Sequence, residues 1–330
     1  MLTTTFDLVK RPRRNRQSAS IRQLACEHRL HTSDLVIPLF LHAGSQKRQP
    51  ISAMPGIDRL ALDSLIKEAE MLHAQGIPAI ALFPKIDPSL KTPEGNEAWN
   101  PNGLVPNAIQ KLKAEIPSLC VIVDVALDPY TSHGHDGIIN AKQEIDNDLT
   151  IEALVRQSLA YAEAGCDILA PSDMMDGRVG MIRRALDEQT FKTTGILSYC
   201  VKYASSFYGP FREALGSAPS FGDKKTYQMD PPNIREAIRE AELDEAEGAD
   251  MLMVKPALPY LDVIAKIKEK TSLPVGAYQV SGEYAMIMAA YEKGWIDAEK
   301  AFYEALIGMK RAGADFIFTY AVKQIWDLLN

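Results

Sequence analysis

The chain has 330 residues, 46% apolar and 24% charged, an ordinary globular composition with ample material for a core. Its formal charge of −7 argues against a nucleic-acid binder, and no apolar run approaches the ~20 residues needed to span a bilayer. The length admits two domains or one large α/β barrel.

Residues 1–34 precede the first strand-like run and lack the apolar core of a signal peptide. They carry the basic stretch Lys10-Arg11-Pro12-Arg13-Arg14-Asn15-Arg16, which reads as a solvated arm or a subunit contact. Eight apolar or β-branched runs follow: LVIPLF (35–40), IPAIALF (77–83), CVIVDVAL (120–127), CDILAPS (166–172), GILSYC (195–200), ADMLMVKP (249–256), LPVGAYQV (273–280) and ADFIFTY (314–320). Segments of helical period separate most of them. Ile151, Leu154, Val155, Leu159 and Ala162 share one face, as do Leu258, Leu261, Ile264 and Ala265. The four cysteines, Cys26, Cys120, Cys166 and Cys200, form no CxxC pair, and three lie in or beside strand-like runs. Free thiols of that kind imply a reducing, cytoplasmic setting.

Four junctions repeat one plan: AQGIPAI, EAGCDIL, AEGADML and RAGADFI. Each puts Gly just past a helix end and then starts a strand. Parallel β/α units give this pattern, and eight of them predict a (β/α)8 TIM barrel over 35–330, with a doubly wound sheet as the alternative. Residues 203–229 break the alternation with a long Gly-, Ser-, aromatic- and basic-rich stretch, the signature of an active-site lid.

In a barrel the C-terminal strand ends build the site. Here those ends present Asp124 and Asp128, Ser172-Asp173, Lys202, Lys255, Ser281 and Thr319-Tyr320. A single lysine at a strand end is usually a surface residue. Two on adjacent strands would share one mouth, where desolvation and the neighbouring charge both lower an amine's pKa and favour imine formation with a ketone. The lid adds Arg212, Lys224 and Lys225, cations suited to a carboxylate, and Ser281 and Tyr320 offer hydroxyls for a second one. Together they predict a small anionic keto substrate.

At these residues the sequence resembles the porphobilinogen synthase (5-aminolevulinate dehydratase) family. The likeness runs from RPRRNR and LVIPLF through MPG, YTSHGHDG, PSDMMDGRV and SYCVKYASSFYGPFREA to YQMDPPNIREAIREAELDEAEGADMLMVKPALPYLD, YQVSGEYAM and FTY. It implies the condensation of two 5-aminolevulinate molecules into porphobilinogen, in tetrapyrrole (porphyrin, heme) synthesis. Lys255 matches the Schiff-base lysine for the propionate-side substrate, and Lys202 the lysine for the acetate-side one. Arg212 and Lys224 match the holders of one carboxylate, Ser281 and Tyr320 of the other. Lys224 stands where some members carry Arg, so it would act as a point charge. Asp124 is a candidate to relay a proton or to orient a lysine.

Zinc-dependent members place three cysteines near YTSHGHDG, where this chain has Ala126, Asp128 and Asp136. Thiolates suit zinc and carboxylates suit Mg2+, so no catalytic zinc is expected, and Asp128 and Asp136 remain open to a hydrated cation, Mg2+ or monovalent. His133 and His135 form a weak HxH signal, read first as structural or substrate-orienting. Glu240, in REAIRE, matches a residue that helps bind an allosteric Mg2+. The family further implies a homo-octamer with the N-terminal arm wrapping a neighbour. Three rival readings remain at this point: a single-lysine aldolase, a metal hydrolase built on His133 and His135, and a ring-forming scaffold without catalysis.

Overall fold

Eight parallel strands close on themselves in a computed structural model that describes residues 8–329. They are β1 (Leu35–His42), β2 (Ala79–Lys85), β3 (Cys120–Val125), β4 (Ile168–Pro171), β5 (Gly195–Lys202), β6 (Met251–Lys255), β7 (Val275–Tyr278) and β8 (Phe316–Phe318). Each pairs with the next, and β8 returns to β1 through Leu35 opposite Ile317 and Val36 opposite Phe318. The expected (β/α)8 barrel is the observed one, and all eight anticipated runs are its staves. The doubly wound alternative fails because an open sheet has no such closing pair.

Helices over Leu62–Ala74, Leu104–Glu115, Asn147–Ala164, Arg178–Glu188, Arg235–Ala246, Leu261–Lys268 and Ala298–Ala312 pack outside the barrel. The four repeated junction glycines, Gly76, Gly165, Gly248 and Gly313, all have φ between +87° and +110°. That left-handed turn is what glycine permits and other residues resist. Inside, the barrel is filled rather than hollow: Phe40, Phe83, Tyr199, Tyr278 and Phe318 are essentially inaccessible. Their rings meet at 5.1–6.4 Å.

Two small features escaped the sequence reading: a hairpin of Arg48–Pro50 with Asp58–Leu60 on the edge of β1, and a ribbon of Ile138–Ile139 with Ile145–Asp146. The expected arm begins outside the described residues for its first seven positions. From Leu8 to Glu27 every residue is exposed, with a short helix at Ala19–Leu24, and Val9 and Leu24 lie 85% and 87% open to solvent.

Candidate active site

The lysines expected to meet do so because β5 is irregular. Met251 lies opposite Leu197 and Leu252 opposite Ser198, but Val254 lies opposite Val201 and Lys255 opposite Lys202. Tyr199 and Cys200 therefore face the single residue Met253, a one-residue bulge. Side chains alternate along a strand, so an unbulged ladder would set Lys255 level with Val201 and turn Lys202 to the other face. With the bulge, both side chains line one narrow cavity together with Asp124, Asp128, Asp136, Arg212 and Lys224.

The Lys255 amine is buried among four aromatic rings, at 4.6 Å from the centre of Tyr278, 4.9 Å from Phe211, 5.2 Å from Tyr199 and 5.4 Å from Tyr208. Burial first, and the charge of Lys202 second, pull it from the ordinary 10.5 down to about 7, against the opposing carboxylates of Asp124, Asp128 and Asp136. Ring faces attract a cation by only about 0.5–2 kcal/mol. The drop to about 7 corresponds to roughly 5 kcal/mol against the charged form. Exclusion of water wins, and a large fraction of Lys255 is a free amine at neutral pH. Lys202 differs: it donates to the Ser172 carbonyl and lies 3.7 Å from the Asp136 carboxylate.

Lys224 reaches down from the lid between two carboxylates, 3.3 Å from Asp136 Oδ1 and 3.7 Å from Asp128 Oδ2. Burial pushes Asp128 up to about 6, with Lys224 pulling the other way. Burial would raise Asp136 as well, but Lys202 and Lys224 outweigh it and hold that carboxyl well below the usual range. The same two aspartates hold Lys224 above the ordinary lysine value despite its burial. Asp124 is raised by burial against the pull of Lys255 and Lys202, and its Oδ1 is buried without a hydrogen-bond partner.

The segment 203–229 supplies Tyr208, Phe211, Arg212, Lys224 and Gln228 to the wall of this cavity and is joined at its ends by a bridge between Tyr203 and Met229. Its helix, Gly209–Leu215, is anchored at the C-terminus by Arg59, which donates to the carbonyls of Ala214 and Glu213 at 2.6 and 2.8 Å, and by Lys91 on Gly216 at 2.9 Å. At Gly134 an added Cβ would lie 2.4 Å from the Ala218 carbonyl, and at Gly282 the same distance from that of Phe207. Lid backbone rests directly on these two glycines. His133 and His135 belong to the same docking surface. His135 places Nδ1 3.0 Å from the Tyr227 hydroxyl and Nε2 3.0 Å from the Phe221 carbonyl, while His133 Nε2 meets the Pro93 carbonyl. Their ring contacts go to protein, which leaves the metal-hydrolase reading without ligands.

Arg212 lines the cavity near Lys224, whereas Lys225 is largely solvated beside Asp223. Ser281 and Tyr320 lie just behind the lysine cavity rather than on its lining. Ser281 Oγ accepts the Phe211 N–H at 3.0 Å, and the Tyr320 hydroxyl meets that of Tyr278 at 2.9 Å. Glu240 is elsewhere, in a groove shared with Glu144, Asp176, Asp223 and Glu236, and burial together with Asp244 pushes it up to about 7. Among the described residues no group of three or more His, Cys, Asp or Glu side chains is arranged to hold a metal ion.

The family model for delta-aminolevulinic acid dehydratase matches residues 9–328. The chain belongs to the delta-aminolevulinic acid dehydratase family. It is 56% identical over 316 residues to the delta-aminolevulinic acid dehydratase of Bradyrhizobium diazoefficiens, covering 96% of this chain and 89% of that one. It is 50% identical to that of Chlamydia pneumoniae, over 99% and 98% of the two chains. The crystal structure of the Toxoplasma gondii delta-aminolevulinic acid dehydratase (porphobilinogen synthase), in complex with the reaction product porphobilinogen, matches with a TM-score of 0.95 at 52% identity. That match covers 97% of this chain and 92% of the other.

Several groups that shape this dehydratase-family site had not been singled out in the sequence. The ring box comes from β5, the lid and β7, so no local pattern announces it. Glu283 is fully buried, accepts the Leu258 N–H at 2.5 Å and that of Val280, and so ties the residues just past Lys255 to the loop of Ser281. Its signal was legible: Glu at the third position of a helix is half of a capping box.

Proposed function

We infer that this chain condenses two molecules of 5-aminolevulinate into porphobilinogen with loss of two waters, a lyase step of tetrapyrrole synthesis. The observation that carries the reading is the facing pair Lys202 and Lys255, with the latter's amine brought down to about 7 by burial among aromatic rings and by the charge of Lys202. The Lys255 amine adds to the ketone of the propionate-side substrate and expels one water, and Lys202 forms the second imine and expels the other. The acetate-side substrate then loses a proton from the carbon beside its imine, and that carbon attacks the Lys255-bound imine carbon. The propionate-side amino group attacks the imine carbon on Lys202, and both lysine amines then leave by elimination. One leaves with a proton from the acetate-side carbon that attacked, the other with a proton from the propionate-side carbon beside the ring nitrogen, which completes the aromatic pyrrole. Asp124, close to both lysines with an unpartnered oxygen, fits the proton relay. Arg212 and Lys224 hold the carboxylate of one substrate. Ser281 and Tyr320 take the other once their hydroxyls are released from the Phe211 backbone N–H and the Tyr278 hydroxyl.

Trapping tests this directly. Incubation with 5-aminolevulinate and borohydride, followed by peptide mass spectrometry, is expected to find a reduced adduct on Lys255. A protein that turns over with no lysine adduct rejects the reading. The rate also carries a sign. Imine formation needs the neutral amine, so kcat/KM is expected to rise with pH through about 7, where Lys255 loses its proton, and not near the ordinary 10.5. A pH–rate profile whose acidic limb lies above 9 would contradict this.

No catalytic zinc is proposed. None of the four cysteines lines the cavity, and Asp128 and Asp136 are already matched by Lys224 and Lys202. For the same reason these aspartates need no cation, Mg2+ or monovalent. The acidic groove at Glu240 has the hard oxygen donors that suit Mg2+, held largely through water, with Glu236 and Asp176 as neighbours. There the ion would neutralise crowded carboxylates and act allosterically, away from the bond-making steps. Chelation followed by Mg2+ is expected to restore activity without zinc, and Glu240→Gln to abolish the Mg2+ stimulation while the Lys255 adduct persists. Metal analysis and the assay with and without Mg2+ check both.

The assembly proposed is a homo-octamer. Leu8, Val9 and Leu24 on the arm stand uncovered, as do Tyr291 and Trp295, and a second copy of the chain would shield them. No helix of the described residues is long and apolar enough to cross a membrane. Four free thiols favour a reducing, cytoplasmic setting.

A further inference from the structure

We propose that Arg178 is a positioning residue for the reaction: it grips the one-residue bulge of β5 and so keeps Lys202 on the face of Lys255. The inference rests on the two-lysine reading above and extends it to a residue outside the cavity.

Arg178 opens the helix that follows β4 and is fully buried between that helix and the barrel wall. Its Nη2 donates to Ser198 Oγ at 3.1 Å and to the Tyr199 carbonyl at 3.3 Å. Tyr199 is a residue of the bulge, and Ser198 is the last regular position before it. Met253, opposite the bulge, is in register with Gly276 of β7 but has no single partner on β5, and its carbonyl accepts from the Cys200 thiol at 3.5 Å. The ladder is therefore weakest where the lysine alignment is decided, and the guanidinium is the group that braces it.

The brace is itself fixed. Asp244, on the helix Arg235–Ala246, takes Nη1 at 2.6 Å and Nη2 at 3.0 Å and also accepts from Ser198 Oγ at 2.5 Å. Asp173 lies 4.0 Å from Nε, and the residue before it, Ser172, supplies the carbonyl that receives the Lys202 ammonium. One guanidinium thus joins the strand that carries Lys202, the loop that receives its amine and the outer helix. Tyr199 also forms part of the ring box, 5.2 Å from the Lys255 amine. A shift of the bulge would disturb both lysines at once.

The consequence is chemical, not only structural. Lys255 is faced by Lys202 from β5, by Asp124, Asp128 and Asp136 from β3 and its loop, and by Tyr199, Tyr208 and Tyr278. Arg178 is faced by Asp173, Asp244 and Glu240. If Lys202 swings away, the like charge beside Lys255 is lost while its burial remains, and its amine becomes easier to protonate.

The test compares wild type with Arg178→Gln and Arg178→Lys, the latter keeping the buried charge in case the former does not fold. For Arg178→Gln, kcat is expected to fall about 100-fold, the cost of an ångström-scale misplacement, with KM changing far less. The acidic limb of kcat/KM is expected to move up by about one pH unit as the like charge withdraws. Arg178→Lys should recover part of both. A limb that stays at the wild-type pH, with kcat within a few fold of wild type, in a folded variant overturns the inference and leaves the condensation reading standing. A wild type that forms no adduct on Lys255 overturns the condensation reading, and this inference with it.

Discussion

Replacing Lys255 by alanine is expected to lower kcat at least ~10⁴-fold, the scale on which loss of a nucleophile leaves only binding and electrostatic effects behind. The amine is isolated in a box of four rings, and no other lysine reaches that box from the same side. Lys202 is committed to the Ser172 carbonyl and to Asp136 and cannot take over its place. Arginine is no substitute, since it does not lose its proton in this range and cannot form the imine. Porphobilinogen formation in a steady-state assay measures the loss. A variant that kept a tenth of the wild-type rate would mean that Lys255 is auxiliary and that a single-lysine scheme centred on Lys202 operates.

The largest effect on stability is expected from Asp244→Ala. The change leaves the Arg178 guanidinium buried without its paired carboxylate, with Asp173 at 4.0 Å and the less strongly felt Glu240 as the remaining charges. Removing one partner of a buried pair costs about 3–5 kcal/mol, because the remaining charge stays desolvated. The urea midpoint should fall accordingly at unchanged slope. Replacing both partners with apolar residues, Arg178→Met with Asp244→Leu, should recover most of that stability, since well-packed hydrophobic groups often equal a buried pair. It should not recover activity, because Ser198 and Tyr199 would have lost their brace. A loss below about 1 kcal/mol for Asp244→Ala is the size of a solvated surface pair and would show that water reaches the guanidinium.

The barrel was legible because its signals are local. Each strand is a short apolar run, and four of the helix exits carry a glycine with positive φ, so neighbouring residues alone decide the pattern. Lys202 and Lys255 could be read from the same logic, being the last residues of adjacent strands. What makes them face each other could not. The bulge at Tyr199–Cys200 depends on Arg178 and Asp244, 66 residues apart in the chain, and nothing in either segment alone marks the meeting. Ser281 and Tyr320 were found by type and place, but their actual partners, the Phe211 amide and the Tyr278 hydroxyl, follow from how the lid lies. The role of Lys224 was read as a substrate contact only. Its grip on Asp128 and Asp136 needed three distant stretches in one place.

That grip bears on traffic. Because the protein's own carboxylates pull Lys224 down, the cover is shut before any cargo arrives, and an incoming acid must prise open an existing ion pair instead of closing an empty gate. Two substrates have to enter and one product has to leave in each cycle, and each of them meets a cavity wall that the protein's own ion pairs already hold in place.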